Sequence, residues 1–318
     1  MSLVSESCDP VVSVEHTGQA PSRGALSRPV SVRDDAAGWV EAWPDARMLR
    51  VNGRGQVRLV DRQLMLEPAA DLYSEPPARA VLLGVCGTVH EWAVRDEFLA
   101  DKSSAGTEVE VGDLRSHGAF LDAADADRYV TALALLTWQD DAHFCARDGA
   151  PTTITSGGWM RVCTACGREE YPRTDPAVIC LVHDGADRVL LARQANWPAR
   201  NFSTLAGFVE AGESLESCVA REVAEEVGLV VSDVVYVGSQ PWPFPRSLML
   251  GFHATADPRD ELVFRDGEIG DALWCTRAEV REALAAGDWT SSAAAHVLLP
   301  GAVSIARRML EAWARAGD

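Results

Sequence analysis

Between Gly207 and Leu229 the chain reads GFVEAGESLESCVAREVAEEVGL, and no other stretch restricts its fold so tightly. Glu213, Glu222, Glu225 and Glu226 fall in it together with Arg221, between glycines at 207 and 228. Val219, Val223 and Val227 recur at i, i+4 and i+8, an apolar stripe that predicts a helix from Glu213 to Leu229. At about 100° per residue, Glu222, Glu225 and Glu226 then share the adjoining face. Gly228 is the expected stop. Gly207 and Gly212 are expected to bracket a loop ahead of the helix, where the backbone bends tightly and passes close to a ligand.

Carboxylates crowded on one face repel one another, so the arrangement asks for a cation. Hard oxygen donors suit Mg²⁺ or Mn²⁺, which neutralise a diphosphate and activate water. Arg221 is well placed to hold a glutamate, Glu213, in position. A solvated acidic face is the rival reading of any Glu-rich helix. The order of Gly207, Glu213, Arg221, Glu222, Glu225, Glu226 and Gly228 is more specific than a charge run requires. The pattern G-x5-E-x7-R-E-V-x-E-E-x-G-L resembles the box of the Nudix hydrolase family, whose members cut a nucleoside diphosphate linked to another group.

Ten residues past the box comes SQPWPFPRS, Ser239 to Ser247. Pro241, Pro243 and Pro245 forbid a regular helix or an interior strand and predict a stiff loop. It would carry Trp242 and Phe244 with Gln240, Ser239 and Ser247 as polar handles, a set suited to a flat heterocycle and its ribose. On composition alone it equally fits a proline-rich turn whose aromatics pack into the core. The segment, with YPRTDPAVI upstream and PGAVSIARRML near the C-terminus, resembles the NADH diphosphatase branch of the family.

That resemblance implies hydrolysis of NAD(H) to NMN(H) and AMP, and removal of NAD caps from RNA 5′ ends. It implies that Gln240, Pro241, Trp242, Pro243, Phe244, Pro245, Arg246 and Ser247 line the dinucleotide site, with Ala306. Phe208 would stack on a base and Tyr171 would contact substrate. Glu222, Glu226 and the Ala206 carbonyl match metal ligands, Glu225 a further catalytic glutamate, and Glu268 the distal ligand, with Glu261 and Asp266 as alternatives. It also implies a homodimer, with Tyr171 reaching the partner's site. A broader hydrolase acting on ADP-ribose and a non-catalytic dinucleotide sensor are the competing functions.

Cys163-x2-Cys166 is half of a zinc ribbon, in which two such pairs close a tetrahedral site. Where the family has the other pair, this chain has Cys145 and then Asp148. Three readings stay open: a Cys145–Asp148–Cys163–Cys166 zinc site, a variant with His143 in place of Asp148, and a ribbon kept by packing without metal. The remaining cysteines are scattered, which suggests a reducing cytosol rather than a disulfide framework.

The chain is 318 residues long with a net charge of −18, which disfavours extensive contact with duplex nucleic acid. It has no apolar run long enough to span a membrane, and residues 1–28 lack the apolar core of a secretory leader. The expected location is therefore cytoplasmic. The expected fold class is α+β. Residues 1–28 are expected to be disordered, 29–140 to form an α+β domain ending in a connector helix over 122–139, and 141–173 a zinc-ribbon-like module. Residues 174–318 would form a Nudix α/β/α sandwich with a mixed sheet, strands flanking a turn at Asp184–Asp187, and C-terminal helices over 277–287 and 302–316.

Overall fold

The computed structural model describes residues 26–97, 109–265 and 267–316. The described residues form two compact units, one within 176–240 and 249–316, the other within 26–175 and 241–248.

The first unit is built on strands β1 (Asp175–His183), β2 (Arg188–Gln194), β3 (Leu205–Phe208), β4 (Ser232–Trp242), β5 (Ser247–Thr255) and β6 (Ile269–Thr276). Their order is β4-β5-β1-β2-β6, with β3 also pairing β1. The strands β1 and β2 alternate with period two. Val178, Cys180, Val182, Leu190 and Ala192 pack with Cys218, Val219, Val223 and Val227 of helix α1 (Leu215–Val227). Ile179, Leu181, Val189 and Leu191 pack instead with helices α2 (Arg277–Ala285) and α3 (Ile305–Arg315), through Val280, Ala283, Met309, Leu310 and Trp313. The result is the expected α/β/α sandwich. Each fully buried Val or Leu contributes about 1.5–3 kcal/mol to holding the layers together.

Two boundaries differ from expectation. Helix α1 begins at Leu215, because the Ser214 side chain accepts from the Ser217 N–H and caps the helix there. Glu213 is left in the preceding turn, where Gly212 takes a φ of +89°. Gly207 lies inside β3, one residue before the strand ends and the loop it was expected to bracket begins. The stop at Gly228 is as expected, with φ +77° and its N–H bonded to the Ala224 carbonyl. The proline segment is also shorter as a loop than its composition predicts: β4 runs through Pro241 to Trp242, and β5 resumes at Ser247. β4 is an edge strand, where a residue without an N–H costs the ladder nothing.

In the second unit a four-stranded sheet is ordered Leu66–Pro68, Arg47–Val51, Val89–Arg95, Val81–Cys86, with the two central strands parallel. The helix Ala123–Asp141 was expected as a connector. It is instead the centre of this unit's core, with Tyr129, Leu135 and Leu136 fully buried. The stretch expected to be disordered lies outside the described residues up to 25, but Leu26, Ser27 and Arg28 are held. Leu26 is buried, Ser27 bridges Val85, and Arg28 pairs with Asp127 at 2.7 Å. The ribbon strands Thr152–Thr155, Met160–Cys163 and Glu169–Glu170 form an antiparallel sheet. They are sewn to the long helix by Arg161, which donates to the Gln139 side chain at 2.6 Å, and by Gln139, which donates to the Gly158 carbonyl. The ribbon is therefore part of the N-terminal unit rather than a free module.

Candidate active site

The box residues converge on one arginine. Arg221 grips Glu213 with two parallel bonds of 2.9 Å, donates to Glu222 at 2.9 Å and Glu225 at 3.1 Å, and reaches the Phe208 carbonyl at 2.9 Å. The strut expected between Arg221 and Glu213 is present, and it extends to two further glutamates. Glu213 also accepts from the Glu210 N–H, which closes the turn ahead of the helix. Fork-to-fork geometry of this kind fixes orientation as well as charge.

Gly207 has a steric role that its composition alone does not reveal. A Cβ at this position would lie 1.9 Å from the Glu222 carboxyl carbon, so Glu222 rests directly on the β3 backbone. Ala206, the expected carbonyl ligand, is its neighbour on β3 and pairs with Ile179 of β1. Phe208, next along the strand, is 59% exposed and presents a flat face to solvent. Glu226 is buried, while the side chain of Glu225 is 56% exposed.

Glu213 and Glu222 share this arginine but are shifted in opposite directions, because burial outweighs it at Glu222. The bidentate Arg221 bonds hold the Glu213 carboxyl down at about 2. Burial pushes the Glu222 carboxyl up; Arg221 opposes this, and the like charges of Glu225 and Glu268 add to it. Glu268, the preferred distal ligand, thus bears on Glu222. It is positioned by Gln194, whose side-chain amide donates to it at 3.1 Å, and its carbonyl accepts from the Ala195 N–H. Of the alternatives, Glu261 lies in a loop with an exposed side chain and Asp266 lies outside the described residues. Glu222 is half-buried with the charges of Glu225 and Glu268 bearing on it, and carboxylate oxygens are the donor type that Mg²⁺ or Mn²⁺ accepts.

Several expected substrate contacts are engaged elsewhere. Gln240 is 1% exposed; its amide donates to the Val303 carbonyl at 2.7 Å and accepts from the Ile305 N–H at 2.7 Å. Both its polar atoms are consumed in clamping the start of α3, so it is not an open handle. Ala306, in the first turn of α3, is packed in the core and its N–H is taken by the Ser304 cap. Arg246 is ion-paired with Asp175 at 2.8 Å, and the Tyr171 hydroxyl donates to Glu169. Pro243 and Ser247 are buried, while Pro241 is half-buried and Pro245 exposed. Trp242 and Phe244 stack edge-on with ring centres 5.0 Å apart. Arg115 lies over both, 3.9 Å from the Phe244 ring and 5.3 Å from that of Trp242. Arg115 and Gln194 were passed over in the sequence, since each acts on a partner distant along the chain and neither sits in a motif.

In the ribbon, Cys145, Asp148, Cys163 and Cys166 place their ligand atoms within 4.8 Å of one another, and they are the one such group of Cys, His, Asp and Glu among the described residues. His143 is exposed and not part of it. Two matching knuckles build the group. The Gly149 N–H bonds to the Cys145 carbonyl and the Gly167 N–H to the Cys163 carbonyl, with both glycines at positive φ, +72° and +69°. Backbone N–H groups of Arg147, Ala165 and Cys166 point at the sulfurs at 3.4 Å. The donor set fits zinc, for which thiolate and carboxylate are both accepted ligands.

Residues 173–295 match the NUDIX domain model, and residues 140–171 match the NADH pyrophosphatase zinc ribbon domain model. NAD-capped RNA hydrolases NudC of Mycobacterium bovis and Mycobacterium tuberculosis are each 53% identical to the chain, over 92% of it and 94% of their own length. The mitochondrial NAD(P)H pyrophosphatase NUDT13 of Mus musculus is 38% identical over 74% of this chain and 71% of that one. With the box complete and the ribbon preceding it, the chain belongs to the Nudix hydrolase family, in the branch that couples the hydrolase domain to an NADH pyrophosphatase zinc ribbon.

Proposed function

We propose that this chain hydrolyses the diphosphate bond of NAD(H) to NMN(H) and AMP and removes NAD caps from RNA 5′ ends. The observation that carries the reading is the cluster in which Arg221 gathers Glu213, Glu222 and Glu225 against the backbone at Gly207. Glu222, Glu226, Glu268 and the Ala206 carbonyl are the proposed ligands of Mg²⁺ or Mn²⁺. When bound, such cations neutralise the diphosphate oxygens and activate water for attack on phosphorus.

The chain's own residues supply orientation. Arg221 and Gly207 fix the direction of the Glu222 carboxylate, and Gln194 fixes that of Glu268. Glu225, the exposed member, is the proposed proton acceptor, since it can reach solvent while one oxygen stays on Arg221. Phe208 offers the exposed ring on which a base would stack. Tyr171 and the segment Pro241–Ser247 are proposed substrate contacts on the strength of the family resemblance. Gln240 and Ala306 are assigned to support.

A homodimer and a cytoplasmic location go with this reading. The seven cysteines among the described residues are all free, as a reducing compartment would keep them. No helix among the described residues is long and apolar enough to cross a membrane. Incubation of the purified protein with NADH and Mg²⁺, with products separated by chromatography and mass spectrometry, tests the activity. AMP and reduced NMN from wild type but not from Glu225→Gln are expected. No products with either Mg²⁺ or Mn²⁺ would overturn the reading. Comparing rates on NADH, ADP-ribose and an NAD-capped RNA ranks the substrates.

A further inference from the structure

The ribbon departs from an all-thiolate set at one place, and the structure shows what stands there. Asp148 occupies the second position of the first knuckle, matched by Cys166 in the second. Its carboxylate is already turned to the site: the Ala150 N–H donates to Oδ1 at 3.0 Å, and Cys163 Sγ lies 3.5 Å from Oδ1 and 3.7 Å from Oδ2. The Sγ atoms of Cys145 and Cys166 are 3.8 Å apart. Cys145 and Cys163 are buried and anchor the group, whereas Asp148 and Cys166 are exposed.

Resting on the zinc-ribbon reading, we propose that Asp148 is the fourth ligand of a zinc ion and makes that ion exchangeable, so that the ribbon surrenders it to a competing ligand faster than a four-thiolate ribbon would. Zinc binds thiolate sulfur as a borderline-soft ion, and a single hard carboxylate is the weakest link of such a set. That link lies on the solvent side, where an incoming ligand can displace it first. The three thiolates are then protonated as the ion leaves.

The test uses the full-length chain loaded with zinc, as wild type, Asp148→Cys and Asp148→Ala. Zinc content is read by mass spectrometry of the metal, and release by transfer to a pyridylazo-resorcinol chelator. Cobalt substitution counts thiolates independently, because each added thiolate strengthens the charge-transfer band and moves the ligand-field band to longer wavelength. Far-ultraviolet circular dichroism checks that each variant is folded. Asp148→Cys is expected to slow release by at least about tenfold, the lower end of what even outer-shell changes do to metal affinity, and to show one more thiolate with cobalt. Asp148→Ala is expected to lose its zinc. Retention and release by a folded Asp148→Ala at the wild-type rate, or an unchanged cobalt spectrum in Asp148→Cys, would overturn the proposal. A folded Asp148→Cys that binds no zinc would instead sink the zinc-ribbon reading itself.

Discussion

The carboxylate cluster and the ribbon quartet both gather acidic or thiol donors, but by opposite means. In the ribbon the backbone does the gathering: two glycine knuckles bring four ligand atoms within 4.8 Å, and no arginine is needed. In the hydrolase unit the glutamates are spread along a turn and a helix, and a side chain, Arg221, orients them. Backbone gathering brings four ligand atoms together without a partner side chain, and leaves Asp148 and Cys166 on the solvent side. Side-chain orientation leaves the carboxylates in unequal surroundings: Arg221 lowers Glu213, whereas burial outweighs the same arginine at Glu222 and raises it. The comparison teaches that the second site is the more easily disarmed by conservative substitution.

The largest effect should come from Glu225→Gln, which keeps shape but removes the proton acceptor. General-base loss costs about 10²–10⁴-fold, so kcat on NADH should fall in that range while the ribbon's metal content stays at the wild-type level. A kcat within a factor of a few of wild type would remove Glu225 from the chemistry. Gly207→Ala comes next. Its Cβ has to displace the Glu222 carboxyl, now 1.9 Å from that position, and misplacement of about 1 Å costs about 10²-fold. Arg221→Lys keeps the charge but loses the fork, and a drop of about 10–100-fold in kcat is expected. Steady-state kinetics with saturating Mg²⁺ separates the three. If Arg221→Lys were neutral, orientation by the fork would not matter and the contrast with the ribbon would fail.

What was legible in the sequence follows from range. The valine stripe, the Gly228 stop and the Arg221–Glu213 strut are local, and the structure has them. The start at Leu215 rather than Glu213 was also local, since Ser214 is a capping residue. The valine stripe fixes the face of the helix but not its first residue. Long-range facts were not legible. Gln240 looks like a ligand handle until Val303 and Ile305 are brought to it by the packing of α3. Pro241 argues against a strand until the sheet order makes β4 an edge. Arg115 acquires meaning only when Phe244 arrives under it. The ribbon's quartet was readable from spacing, but its choice of Asp148 over His143 needed the paired knuckles.

The smaller predictions concern the far end of α1 and the titration of Glu213 and Glu222. Gly228→Ala places a side chain at φ +77°, with its Cβ 3.0 Å from that of Val263, and should cost about 1–2 kcal/mol of stability in denaturant melts. A change below a few tenths would mean that the helix end relaxes freely.

The subtlest effect is in the titration of Glu213. Its folded value, about 2, lies below that of a free carboxylate, so the stability from its pairing with Arg221 is present above the ordinary glutamate range. That contribution is lost only as pH falls toward about 2. The carboxyl carbon resonance of Glu213 should therefore stay in its ionised position well below the range where exposed glutamates titrate. In Arg221→Gln it should move back among them. Glu222 should respond in the same direction as Glu213, because Arg221 opposes the burial that raises it, and so should titrate still higher in Arg221→Gln. If the two glutamates shifted in opposite directions, the arginine would not be the common organiser of the turn.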